Sequence, residues 1–210
     1  MQNLEVIAEQ AHQAFEARTR ARDSALVQAR QLTRKSAYAI RAIHRGECVE
    51  AQQFLAESAG LVAGLKSDLA GYPDLYYAGY TQDAIKEYVE ASITYALILD
   101  LPLPPPESLQ VESAIYVNGL AEATGELRRR CLDIVRHGYS PEAERLLNCM
   151  DDIYAVLVTM DYPDAITNGL RRQTDLVRGI LERTRGDITI SHREDQLKAS
   201  LDTLLKKLSS

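Results

Sequence analysis

The sequence predicts an all-α fold, a single-domain bundle of about seven helices spanning residues 1–210. Apolar residues recur at three- and four-residue spacings along nearly the whole chain, and no stretch sustains two-residue alternation between turn signals. Only 7 prolines and 11 glycines occur, many of them where the helical pattern lapses. A hydrophobic share of 46% argues against disorder, and 210 residues are ample for one core but short for two.

The first element runs from Asn3 to Arg45 without a proline or glycine, and Gly46 ends it. Leu32, Ala39 and Ile43 share one face, while Arg30, Arg34, Arg41 and Arg45 fall within about 60° of one another on the opposite side. A second helix is expected from Cys48 to Leu69, with Phe54, Leu61, Val62 and Leu65 facing the core. The breaker- and tyrosine-rich stretch Gly71 to Tyr80 reads as an ordered connection. A third helix is expected from Gln82 to Leu99, stopped by Leu101-Pro-Leu-Pro-Pro-Pro106, a stiff extended linker. A fourth is expected from Ser108 to His137. Ser140-Pro141-Glu142 supplies a serine cap, a first-turn proline and an acid for the next. Tyr162-Pro163-Asp164 breaks that stretch. One more helix is expected to stop at Gly186, and the capping-box pair Ser191 and Glu194 to start a last helix ending near Lys207. No internal repeat or low-complexity segment is found.

Net charge is −6, which taken alone argues against a nucleic-acid partner. The distribution reverses that argument. Between Arg18 and Arg45 lie eight basic residues and a single acid, Asp23. Arg30, Arg34, Lys35, Arg41 and Arg45 therefore read as a track for a phosphate backbone. His44 stands beside them, and Tyr88, Tyr95 and Tyr116 are stacking candidates unless the core takes them. Cys48, Cys131 and Cys149 are widely separated and fit reduced thiols in a cytoplasmic protein. No apolar run approaches the roughly 20 residues of a membrane span, and the N-terminus does not read as a signal peptide.

Four glutamates carry the chemistry. Glu87 and Glu90 lie in Lys86-Glu-Tyr-Val-Glu-Ala91, and Glu122 and Glu126 in Glu122-Ala-Thr-Gly-Glu-Leu127. Spacings of three and four put each pair on one helix face. Isolated pairs of this kind are usually solvated, but Glu87 and Glu90 sit at the edge of an apolar arc formed by Ile85, Val89, Ile93 and Ala96. Two such helices side by side would gather four mutually repelling carboxylates, which a hard oxygen-seeking cation, Mg²⁺ or alternatively Mn²⁺, neutralises. Asp133 is a further candidate on the same face as Glu126. A di-iron bundle site would need Glu-x-x-His, and no histidine is available at that spacing. Nucleophile-elbow, phosphate-loop, zincin and dinucleotide signatures are absent. Gly119 and Gly125, inside the fourth helix, read as points of close helix packing.

The Glu87-Tyr-Val-Glu-Ala91 stretch, followed by Gly119-Leu-Ala-Glu-Ala-Thr-Gly-Glu-Leu-Arg-Arg-Arg-Cys-Leu132, resembles the translin/TRAX family, as do Met150-Asp-Asp-Ile-Tyr154 and the segment Leu176 to Ile190. The resemblance covers nearly the whole chain and is strongest to compact prokaryotic, archaeal TRAX-like members. It implies a translin-like helical fold assembling into a closed octameric shell. It also implies a Mg²⁺-dependent endoribonuclease of low sequence specificity acting on single-stranded or short duplex RNA. The family's catalytic acids carry over onto Glu87, Glu90, Glu122 and Glu126; where this chain has Glu122, animal TRAX proteins carry aspartate, one methylene shorter. The alternative is a translin-type shell that binds RNA or single-stranded DNA without cutting. An inactive helical scaffold is the remaining reading.

Overall fold

The architecture, described for residues 3–209 by a computed structural model, follows from which helix faces are apolar. Helix α1 (Leu4–Arg45) is 42 residues long, yet all its buried residues, from Ala25 to Ile43, lie in its second half. Gly46, at φ 76°, ends it by returning its N–H to the carbonyls of Ala42 and Ile43, a left-handed cap that glycine adopts without a Cβ penalty. Helix α2 (Cys48–Asp68) folds back along α1. A single turn, α3 (Pro73–Tyr76), leads into α4 (Gly79–Ile98), which packs between α1 and the fourth long helix and is buried on most sides. After the proline linker come another single turn, α5 (Pro106–Leu109), and then α6 (Ser113–Val135), the hub that touches α4, α7 and α9. Helix α7 (Pro141–Leu157), the turn α8 (Asp164–Thr167) and α9 (Leu170–Leu208) complete the bundle. Leu32, Leu65, Ile85, Ile93, Leu127 and Met150 are among the side chains fully sealed in the shared core.

The described residues are all-α, with nine helices rather than seven and no strand. Three of the nine are single turns, and only α3 lies wholly inside an expected connection. The expected fourth helix starts at Ser113, not Ser108. Gln110 adopts φ 58°, and the N–H groups of Gln110 and Val111 bond back to Glu107 and Pro106, so the turn after the prolines closes on itself. The expected break at Gly186 does not occur, and α9 runs straight through it. A mid-helix glycine costs about 1 kcal/mol; burial of Leu181, Thr184 and Ile188 on the same helix outweighs that. Ser191 is therefore a buried helix-interior residue and not a cap. The Ser140 cap forms as expected, its Oγ accepting the Glu142 N–H at 3.2 Å. Ser140→Ala should cost about 0.5–2 kcal/mol, read as a lowered urea or thermal midpoint.

Both long terminal helices expose large apolar side chains. Leu4, Val6, Ile7 and Phe15 lie open on α1, and Leu197, Leu201, Leu204, Leu205 and Leu208 on α9. Among the described residues no helix is long and apolar enough to cross a membrane.

Candidate functional site

The four glutamates meet along the seam between α4 and α6. Close packing at this seam rests on Gly119. A Cβ there would stand 2.7 Å from Val89 Cγ1, 2.8 Å from Val89 Cβ and 3.2 Å from the Glu90 backbone nitrogen. Ala123, one turn beyond Gly119 on the same face of α6, is fully buried, while Ala91 packs with Ala39 and Ile40 of α1. Gly125, by contrast, has nothing within 4 Å of where its Cβ would be, so the packing role expected of both glycines belongs to Gly119 alone.

Each carboxylate has a different set of neighbours. Glu122 Oε1 is held by Lys86 Nζ at 2.8 Å and by Gln173 Nε2 at 2.9 Å. Glu126 Oε2 is held by His44 Nε2 at 2.5 Å and by Arg129 Nη1 at 3.3 Å. Among the described residues Glu87 and Glu90 make no hydrogen bond or ion pair; what acts on them is the field of the others. Burial pushes Glu87 above the ordinary carboxylate range, and Glu122 pushes it further, against a weaker pull from Lys86. Burial, then repulsion from Glu87, Glu122 and Glu126, raises Glu90 to about 8. Burial also acts upward on Glu126, but the hydrogen bond and charge of His44, together with Arg129, outweigh it and leave this group below its usual value. Burial would lower Lys86, yet Glu122, Asp83 and Glu87 win and raise it. The seam thus holds two carboxylates tied to cations and two without one, close enough that each of the others repels Glu90.

As they stand, no three His, Cys, Asp or Glu side chains among the described residues are grouped so as to hold a metal ion. The hydrogen-bonding pattern gives the reason, since Glu122 and Glu126 are drawn to separate partners. The donor set nevertheless fits a hard cation: every carboxylate oxygen on the seam is an oxygen ligand of the type Mg²⁺ takes, and Glu90 is charged at neutral pH only if a cation offsets its neighbours. Asp133, seven residues beyond Glu126 and roughly 10 Å further along the axis, takes no part in these interactions. A cavity of about 220 Å³ opens beside the Glu122 end, lined by Gln82, Lys86, Asn118, Asn168 and Gln173 among others.

The basic stripe lies on the exposed face of α1, but it is not free of acids. Lys35 pairs with Glu57 at 2.5 Å, and Arg45 with Glu47 and, at 3.7 Å, with Glu50. These acids come from α2, Glu57 from its middle and Glu50 from its first turn, and from Glu47 just before it, so a count within the window could not include them. Arg30, Arg34 and Arg41 make no ion pair among the described residues. Arg34 and Arg41 flank the Tyr38 ring at 5.7 and 5.5 Å. Tyr38 is thus the aromatic of the stripe, readable from its spacing of four and three to the two arginines. Tyr88 is buried and the Tyr116 hydroxyl donates to the Pro104 carbonyl at 2.9 Å, so these two belong to the core. Of Arg128-Arg-Arg130, Arg128 is spent on Asp187 and Thr184, and Arg129 on Glu126. His44, Lys86 and Gln173 are site residues that sequence reasoning did not assign. Lys86 adjoins Glu87 in the chain; the other two are brought in by tertiary packing.

The all-helical bundle that carries this seam and stripe has the fold of the C3PO proteins. AfC3PO, solved in complex with duplex RNA, has a TM-score of 0.80 and 32% identity, covering 88% of this chain and 95% of that one. AfC3PO alone gives the same TM-score and identity over 88% of this chain and 96% of that one. Apo-NeC3PO, at 21% identity, TM-score 0.78 and coverage of 91% and 98%, shares the fold. The uncharacterized protein MJ0175 of Methanocaldococcus jannaschii is 36% identical over 169 residues, 80% of this chain and 74% of that protein. No protein-family model matches the chain. The chain belongs to the translin/TRAX family, and its likeness to AfC3PO agrees with the resemblance to archaeal TRAX-like members.

Proposed function

We propose that this chain is a metal-dependent endoribonuclease of the TRAX type, acting on single-stranded or short duplex RNA with little base preference. The observation that carries the proposal is the pair Glu87 and Glu90, solvent-reachable, without a donor among the described residues, and set against Glu122 and Glu126. Such an arrangement is unfavourable alone and favourable around a cation. Glu87, Glu90, Glu122 and Glu126 would hold Mg²⁺, with Mn²⁺ as the alternative. Held there, the ion would supply Lewis-acid polarisation of the scissile phosphate and a lowered pKa for a bound water. Arg30, Arg34 and Arg41 supply unpaired backbone contacts, with Lys35 and Arg45 at the margins, and Tyr38 offers a face for an unstacked base. The duplex RNA in the AfC3PO complex supports an RNA partner. The exposed apolar side chains of α1 and α9 support assembly with further copies, for which the family suggests an octameric shell.

The competing reading, a shell that binds RNA or single-stranded DNA without cutting, draws on the separate ties of Glu122 and Glu126. Incubating labelled RNA with the wild-type protein and Glu126→Ala, in Mg²⁺ or in EDTA, separates the two. Cleavage confined to wild type with Mg²⁺ is expected. Equal cutting by both proteins removes the acidic seam as the source of cleavage, and cutting by neither leaves the binding shell. Arg30→Ala and Arg41→Ala should each reduce the slope of log affinity against log salt by about 0.7–1, measured by fluorescence anisotropy, with no change in base preference.

A further inference from the structure

The ties on Glu122 and Glu126 follow one pattern, and it concerns more than charge balance. In each case two donors converge on the same oxygen. Lys86 and Gln173 both bond Oε1 of Glu122, and His44 and Arg129 both bond Oε2 of Glu126. The second oxygen of each carboxylate has no partner among the described residues, and neither is a buried atom. Each glutamate is therefore clamped through one oxygen while the other stays open to solvent. One donor of each pair comes from outside the α4–α6 seam: His44 from the end of α1, Gln173 from the first turns of α9.

His44 is costly to keep as a mere packing residue. Its side chain is only 5% exposed, and its Nδ1 is buried without a partner. An unpaired buried polar atom costs about 1–3 kcal/mol, which a leucine or phenylalanine at this position would avoid. What the imidazole offers in return is an Nε2–H aimed at a carboxylate oxygen, an acceptor-only group that requires the proton to lie on Nε2.

We infer that His44 and Gln173 are positioning residues of the acidic seam, each fixing one oxygen of a glutamate on α6 so that the other oxygen is presented to the metal ion. The inference rests on the metal reading proposed above. Without His44, Glu126 keeps only the 3.3 Å contact to the exposed Arg129, and its free oxygen loses a defined place. Without Gln173, Glu122 is held by Lys86 alone and can rotate about that single contact.

The test counts free Mn²⁺ by electron paramagnetic resonance during titration of the intact RNA-free protein, with thermal midpoints recorded in parallel. His44→Leu and Gln173→Leu are expected to weaken Mn²⁺ binding about 10–100-fold, the usual scale for outer-shell partners of a metal ligand. His44→Gln should stay within a few fold of wild type, because its amide nitrogen reaches the place of Nε2. Wild-type affinity in His44→Leu overturns the inference and leaves the metal reading intact. Should His44→Leu fail to fold, unchanged affinity in Gln173→Leu does the same. A wild-type protein that takes up no Mn²⁺ removes the metal reading, and this inference with it.

Discussion

Gly119→Ala is expected to lower stability and to cut cleavage far more than RNA binding. On helix propensity alone the substitution should help, by about 1 kcal/mol. Against that stands a methyl group 2.7 Å from Val89 Cγ1 and 2.8 Å from Val89 Cβ. Valine is confined to essentially one side-chain rotamer in a helix, and rotating it would not move its Cβ. The backbones must separate instead, and overpacking of this kind costs about 1–3 kcal/mol. The net loss should be up to about 2 kcal/mol, visible as a lower urea midpoint. The functional loss should be larger, because the third close contact is the backbone nitrogen of Glu90 itself. Moving α4 from α6 by a fraction of an ångström to one ångström shifts Glu87 and Glu90 against Glu122 and Glu126, and a misplacement of that size can cost about 100-fold in rate. RNA affinity, proposed to rest on the α1 stripe, should hardly change. Gly125→Ala is the control: its new methyl meets nothing within 4 Å, so it should stabilise by about 0.5–1 kcal/mol.

Glu90→Gln should stabilise the metal-free protein at alkaline pH while abolishing cleavage. In the folded chain Glu90 holds its proton up to about 8, against 4.5 for an ordinary glutamate. Between those values the folded state binds a proton that the unfolded state has released, so wild-type stability in EDTA falls as pH rises from about 4.5 to about 8 and stays reduced above it. The penalty is on the order of a few kcal/mol, at 1.36 kcal/mol per pKa unit. Burial and Glu122 raise Glu87 as well, so part of the slope has the same sign and survives in the variant. Glu126 contributes in the opposite sense: held low by His44 and Arg129, it stabilises above the ordinary carboxylate pKa and loses that contribution only as acid protonates it. Urea midpoints at pH 5.5, 7 and 8.5 in EDTA should therefore decline for wild type and flatten for Glu90→Gln. Mg²⁺ should restore wild type at pH 8.5 by binding only the folded state, and leave the variant nearly unmoved.

Most of the fold was legible because its signals are local. The Gly46 stop, the Ser140 cap and the proline linker act through backbone geometry within a few residues, and all three appear where expected. Gly186 and Ser191 misled for the same reason. They are local stop and start signals, and packing of α9 along α6 and α7 overrides them. The glutamate pairs were legible because each lies within one helical turn, and Tyr38 was equally readable from its spacing to Arg34 and Arg41. His44 and Gln173 were not. Their partners lie 82 and 51 residues away in the chain, and only the tertiary arrangement brings them together. The acids that neutralise Lys35 and Arg45 were missed likewise, since they arrive with the fold-back of α2.

Helix α1 carries both the basic stripe and, near its end, the histidine that touches Glu126. Because one unbroken helix bears both, the span between them is set by its pitch. Arg30 precedes His44 by fourteen residues, about 21 Å at 1.5 Å per residue. A strand following the stripe at about 3.4 Å per phosphate would cover that length in roughly six nucleotides. On the proposed activity, the helix would work as a ruler, placing the scissile bond a fixed count from a phosphate at Arg30 and giving products of preferred length without any base being read.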